Sequence, residues 1–221
     1  MFLMVAFDLR KQGEFKMARD TQSIVKMSRR EGYALHPKAH KALMKRSTPP
    51  GQQKAGAFRA KSSQYNIQLR EKQKVKRLYG LLEKQFSKLM KEASKSQGQS
   101  GQVLLRLLEQ RADNVVYRAG FATSRRASRQ LMTHGHFELN GRRVDIPSIR
   151  LKEGDELIVR SKSQKSEYFK NLDDVSPSAG DLPTWLKVDR KKFSIKVTAL
   201  PTREDAEVDI NEQLIVEYYS R

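Results

Sequence analysis

At Gly135 the spacing of apolar side chains changes period, which narrows the choice of folds more than any other feature of this chain. Before it, apolar residues recur at helical intervals: Leu82, Phe86, Leu89, Met90 and Ala93 form one stripe, and Val103, Leu104, Leu107 and Leu108 another. After it they alternate. Phe137 and Leu139 are followed by the two-residue hairpin turn Asn140-Gly141, and Val144 and Ile146 resume the alternation. Leu157–Val159 reads as a strand, as do Phe193, Ile195 and Val197, and Leu214–Tyr219 as a last apolar strand. Helices followed by short strands predict an α+β chain with a small antiparallel sheet.

Local signals place the boundaries. Ser63 caps a helix over residues 63–79 that Gly80 stops, and a second runs from Leu82 to Ser94. Ser96–Gly101 is a flexible connection and a candidate domain boundary. Asn114–Ala119 forms a short apolar-faced helix, and Ser124 caps another over Arg125–His134, with Gly135 as its stop. Lys152-Glu153-Gly154-Asp155 is a turn; residues 161–184 are polar, with a short helix near Glu167–Leu172. Residues 17–62 are basic and poor in apolar side chains, with a short helix around Ala39–Arg46 and a rigid turn at Pro49-Pro50-Gly51; most of this arm should be ordered by a partner. Residues 1–16 read as a disordered extension or an upstream start, with Met17-Ala18-Arg19 the natural beginning.

Charge says what kind of partner that is. The chain carries 44 Lys and Arg against 25 Asp and Glu, a formal +19, unevenly spread. Residues 1–100 hold 23 basic and 7 acidic side chains, 101–160 hold 11 and 7, and 161–221 hold 10 and 11. Self-repulsion on this scale points to a polyanionic partner for a basic arm and helices joined to a nearly neutral C-terminal part. There is no cysteine, so disulfides, thiolate zinc sites and a cysteine nucleophile are excluded. No apolar run is long enough to span a membrane.

Chemistry concentrates between Ala122 and Val144. Ser124 caps a helix whose first turn offers free backbone N–H groups, a ready phosphate site. Arg125 and Arg129 share one face and Arg126 and Gln130 the neighbouring ridge, while Ala127 and Leu131 should point to the core. Arg142 and Arg143 follow the hairpin turn, and guanidinium forks suit phosphate oxygens better than ammonium groups do. A helix and hairpin so furnished suit a nucleic-acid backbone.

At these residues the sequence resembles the RNA-binding module named after small-subunit ribosomal protein four, and the wider chain resembles that bacterial-type family. The resemblance covers about residues 17–221. It rests on Met17-Ala18-Arg19, Ser28-Arg29-Arg30-Glu31-Gly32, Pro49-Pro50-Gly51-Gln52, Leu69-Arg70-Glu71-Lys72-Gln73-Lys74, Tyr79-Gly80 and Glu83-Lys84-Gln85-Phe86. It continues through Asp113-Asn114-Val115-Val116-Tyr117-Arg118, Gly120-Phe121, Asn211-Glu212-Gln213-Leu214 and Tyr218-Tyr219-Ser220-Arg221. Many members bind zinc through four N-terminal cysteines, with a Cys-x-x-Cys pair just before the Arg-Arg-Glu-Gly. Here Val25 and Ser28 stand at that pair, so the chain resembles the zinc-free variant.

The resemblance implies a basic rRNA-binding arm over 17–62 and a helical domain over 63–100 completed by about 200–221. An inserted domain over 101–199 would contain the RNA-binding module at about 111–171. It implies a ribosomal protein of the small subunit, a ribonucleoprotein component in translation, that binds small-subunit rRNA and nucleates assembly of the subunit body. Ribosomal protein five would be a neighbour, with an influence on translational accuracy, and mRNA would pass nearby where it enters the subunit. The location would be the ribosome, in the cytoplasm or an organelle, with no membrane, cofactor or metal. The RNA-binding residues expected in the arm are Arg19, Arg29, Arg30, Lys45, Arg46, Gln52, Lys54, Arg59 and Lys61. In the helical domain they are Tyr65, Arg70, Lys72, Lys74 and Arg77. In the module they are Arg118, Ser124, Arg125, Arg126, Arg129, Gln130, His134, His136, Asn140, Arg142 and Arg143.

Other readings fit less well. No Gly-rich phosphate loop ending in Gly-Lys-Ser/Thr, no Gly-x-Ser-x-Gly and no paired His/carboxylate cluster occurs, so the chain is not expected to be an enzyme. Asp155-Glu156 and Glu204-Asp205 are solvated turn pairs, and His36 and His40 lack the further ligands a metal needs. An RNA-modifying enzyme borrowing the module would need a catalytic domain of about 150 residues. A DNA reader would not follow its recognition helix directly with a hairpin.

Overall fold

The computed structural model describes residues 20–51, 62–176 and 182–221, and these form two cores. The first is helical. It takes side chains from α1 (Ile24–Glu31), α3 (Gln64–Leu78), α4 (Glu83–Lys95) and α5 (Ser100–Glu109), and from Leu35, just before α2 (Pro37–Lys45). Val75, Phe86 and Leu104 lie at its centre, fully buried. Met27 and Leu35 belong to it, so part of the arm is folded onto the protein's own core rather than left to a partner. Ser28 helps to close the turn after α1: its hydroxyl donates to the Ile24 carbonyl and accepts from the Leu35 N–H. The fully buried Glu31 side chain then pairs with Arg70 and Arg77 and ties α1 to α3.

The second core joins α6 (Ala112–Arg118) and α7 (Arg125–Thr133) to an antiparallel sheet. Its strands are β1 (Phe137–Leu139), β2 (Arg142–Val144), β3 (Glu156–Val159), β4 (Leu186–Asp189) and β5 (Ser194–Val197), in the order β2-β1-β3-β5-β4. Phe137 pairs with Val144 on one side and Val159 on the other, turning all three apolar side chains to the same buried face. Asn140 (φ 49°) and Gly141 (φ 80°) make the tight β1–β2 turn.

The α+β expectation is met, with five corrections. Leu214–Tyr219 is not a strand but part of α11 (Glu212–Tyr219), packed on α3 and α5. Asn211 caps it by accepting from the Gln213 and Leu214 N–H groups, and tertiary packing overrides the strand preference of Ile215 and Val216. Gly101 lies inside α5 rather than in a connection: a Cβ there would sit 2.7 Å from the Glu212 Cγ, so the glycine allows α5 and α11 to approach closely. Accordingly α5 packs in the helical core, and the second core takes its first residue, Ala112, from the start of α6. In α7 the fully buried positions are Ser128 and Met132; Leu131 packs against the core half-buried as expected, while Ala127 is only partly covered. Ser128 is acceptable there because its hydroxyl donates to the Asp113 carbonyl. The polar stretch forms three single turns, α8 (Ser161–Gln164), α9 (Glu167–Lys170) and α10 (Leu172–Val175), and β4 was not foreseen.

Candidate nucleic-acid interface

The surface grows out of the first turn of α7. Ser124 is buried and its Oγ accepts from the Ala127 N–H at 3.3 Å, which fixes where the helix begins. With Met132 in the core, the ridge Arg126, Gln130 and His134 faces solvent, all three exposed. The helix stops at Gly135 (φ 70°), and the next strand carries the hairpin back across that stop. Arg143 lies so close that a Cβ on Gly135 would be 2.7 Å from its Nε. Arg142 and Arg143 are exposed, and among the described residues neither they nor Arg126 has an acidic partner. Arg126 and Arg143 stand at opposite ends of a helix about 13 Å long. At its other end the ridge reaches the arm. Burial lowers the His36 pKa, and the charges of Arg126 and Lys38 lower it further, so the start of α2 continues the same positive surface. His36 itself accepts from the Lys38 N–H at 3.0 Å as the cap of α2. In the arm, Arg30, Lys45 and Arg46 are exposed, while Arg29 closes the Thr48–Pro49 turn by donating to the Thr48 carbonyl at 3.0 Å.

Other expected contacts are turned inward. Arg125 is 12 % exposed. Its Nε donates to Asn114 Oδ1 at 2.8 Å, it pairs with Glu207 at 3.0 Å, and its guanidinium lies 4.8 Å and 4.6 Å from the ring centres of Tyr79 and Tyr117. Arg118 pairs with Glu109 at 2.8 Å; burial pushes that carboxyl up, but hydrogen bonds and charge from Arg118 and the charge of Arg125 outweigh it and hold it low. Arg129 reaches Asp113 at 3.4 Å and stays about one-third exposed. His136 is half-buried against Phe169 and Ser163, and burial, with help from His134 and Arg160, lowers its pKa. Asn140 spends both side-chain groups on the turn, donating to Asp155 Oδ1 at 2.8 Å and accepting from the Glu156 N–H at 2.9 Å.

The cations of α3 are all partnered. Lys72 is buried beside Glu83 at 2.9 Å and under the Tyr218 ring, Lys74 meets Glu71 at 2.8 Å, and Arg70 and Arg77 share Glu31. Tyr65 is half exposed and packs on Tyr218. Arg19, Gln52, Lys54, Arg59 and Lys61 lie outside the described residues. What sequence reasoning missed is the acids: Glu31, Glu83, Glu109 and Glu207 decide which cations remain free. The only signal for them was local scarcity of negative charge around each cation.

A family model for the ribosomal protein S4/S9 N-terminal domain matches residues 19–109, and one for the S4 domain matches residues 110–157. The two meet where the helical core gives way to the second core. The chain is 51% identical to the small ribosomal subunit protein uS4 of Chloroflexus aurantiacus over 206 residues, 93% of this chain and all of that one. It is 48% identical to the uS4 proteins of Herpetosiphon aurantiacus over 216 residues and of Clostridioides difficile over 211, again across 93% of this chain and the whole of each relative.

Proposed function

Because the chain belongs to the uS4 family of small ribosomal subunit proteins, which are structural and not enzymatic, we propose that it binds small-subunit rRNA through one basic surface crossing both of its cores. On this reading it nucleates assembly of the subunit body and, beside ribosomal protein five, influences translational accuracy. The observation that carries the RNA contact is the ridge Arg126–Gln130–His134 running into Arg142 and Arg143, none of whose arginines meets an acid among the described residues. Three free guanidinium forks along about 13 Å fit successive backbone phosphates. Arg30, Lys45 and Arg46 extend the surface into the arm. Residues such as Lys72 and Arg77 support the fold that carries this surface.

The experiment is the triple variant Arg126→Ala, Arg142→Ala, Arg143→Ala, titrated with folded small-subunit rRNA over a range of salt. Each lost phosphate contact should flatten the log–log salt dependence by about 0.7–0.9, so the slope should fall by about two to three. A slope and affinity equal to wild type would remove this face from the interface.

A further inference from the structure

The geometry points to Arg125 as a positioning residue: it fixes the angle between the Arg-rich helix and the helical core, so that the module and the arm meet one RNA together. This inference rests on the rRNA-binding reading above. Arg125 starts α7, yet its partners come from three other places. Tyr79 follows α3, Asn114 and Tyr117 belong to α6, and Glu207 lies between β5 and α11 beside Ala206 and Ile210 of the helical core. The planar guanidinium is used both as a donor fork and against aromatic rings: Nε to Asn114, a terminal nitrogen to Glu207, and the Tyr79 and Tyr117 rings at 4.8 Å and 4.6 Å. Nothing but arginine combines a donor fork with two stacking faces.

The partners are themselves held. The fully buried Glu109 accepts from Tyr79 Oη at 2.6 Å, Asn114 Nδ2 at 2.6 Å and Arg118 at 2.8 Å, so one of the two rings and the edge acceptor around Arg125 belong to one network. Among the described residues, Arg125–Glu207 is the ion pair that joins α7 to the helical side. Two further struts join the two parts: Arg118 of α6 meets Glu109 of α5 at 2.8 Å and Glu207 at 3.6 Å, and Arg150, in the segment before β3, meets Glu92 of α4 at 2.6 Å. With those struts and the chain connections intact, losing Arg125 should loosen the angle of α7 and the module without unfolding either core.

A phosphate ligand and a positioning residue respond differently to the same variants. Arg125→Lys keeps the charge but cannot fork and stack, so rRNA affinity should fall on the order of tenfold with the salt slope unchanged. Arg126→Lys, which keeps the charge of a direct phosphate contact but loses its fork, should weaken binding by about threefold, less than Arg125→Lys. Glu207→Gln makes the protein more positive, which by charge alone would strengthen RNA binding; here it should weaken it several-fold, because Arg125 loses its anchor. In the free protein, residual dipolar couplings should fit one common orientation for both cores in wild type and two independent ones in Arg125→Lys. If Arg125→Lys binds like wild type, or Glu207→Gln binds more tightly, or the couplings of Arg125→Lys still fit one orientation, the proposal is overturned. Should Arg125→Lys fail to fold, the sign of the Glu207→Gln effect decides. Absence of rRNA binding by the wild-type protein would instead strike the underlying RNA reading, and the dipolar couplings test the positioning role apart from it.

Discussion

Helix α3 and the α7–hairpin surface are both dense in cations, but the structure uses them in opposite ways. On α3, Arg70, Lys72, Lys74, Lys76 and Arg77 each meet a carboxylate: Glu31 takes both arginines, Glu83 takes Lys72 and Lys76, and Glu71 takes Lys74. On α7 and the hairpin, Arg126, Arg142 and Arg143 meet none among the described residues. Cation density along a sequence therefore does not identify a nucleic-acid face; the acids that other elements bring to it do. Glu31 lies 46 positions from the Arg77 it neutralises, beyond the reach of any local count.

The comparison is most sharply tested at Glu31. Its side chain is fully buried between α1 and α3, and Glu31→Ala would leave Arg77, 12 % exposed, without its counter-charge. Breaking such a pair from one side should cost ~3 kcal/mol in urea unfolding. Arg126→Ala, on the other surface, should stay within about 0.5 kcal/mol of wild type. Equal stabilities for the two variants would mean that the α3 ion pairs hold nothing together.

The helix caps extend the contrast at smaller scale. Ser63 begins α3 and Ser124 begins α7, each accepting one backbone N–H at 3.3 Å. Ser63 is exposed and Ser124 buried, so water can replace only the first hydroxyl. Thermal unfolding should show a loss of ~1.5 kcal/mol for Ser124→Ala and ~0.5 kcal/mol for Ser63→Ala. The reverse order would show that burial is not what makes the α7 cap matter.

Much of this was legible beforehand because it is local. The Ser124 cap, the Gly135 stop and the Asn140-Gly141 turn are short-range devices, and each stands where its residues predict. What was not legible depends on distant partners. Ser128 looks like a surface residue until the Asp113 carbonyl is placed above it. Leu214–Tyr219 looks like a strand until α3 and α5 offer it a groove. The folded part of the arm is of the same kind, since Met27 and Leu35 are too few to form a core alone but enough to join an existing one. On α7, only tertiary structure separates Arg126, which meets no acid among the described residues, from Arg125, which is enclosed.

The smallest expected effect is in acid. Burial pushes the Glu83 carboxyl up, but hydrogen bonds from Lys72, Tyr219 and Lys76 outweigh it and hold the pKa at about 2, against an ordinary 4.5. A carboxylate with a lowered folded-state pKa contributes stability that is complete above its unfolded value and lost as pH falls through the folded one. The window here runs from about 4.5 down to about 2. The side chain is 48 % exposed, so solvent screening reduces the contribution to on the order of 0.5 kcal/mol. Stability of wild type minus that of Glu83→Gln should be constant from neutral pH down to about 5 and disappear by about 2. A difference independent of pH would show that Glu83 acts by packing alone.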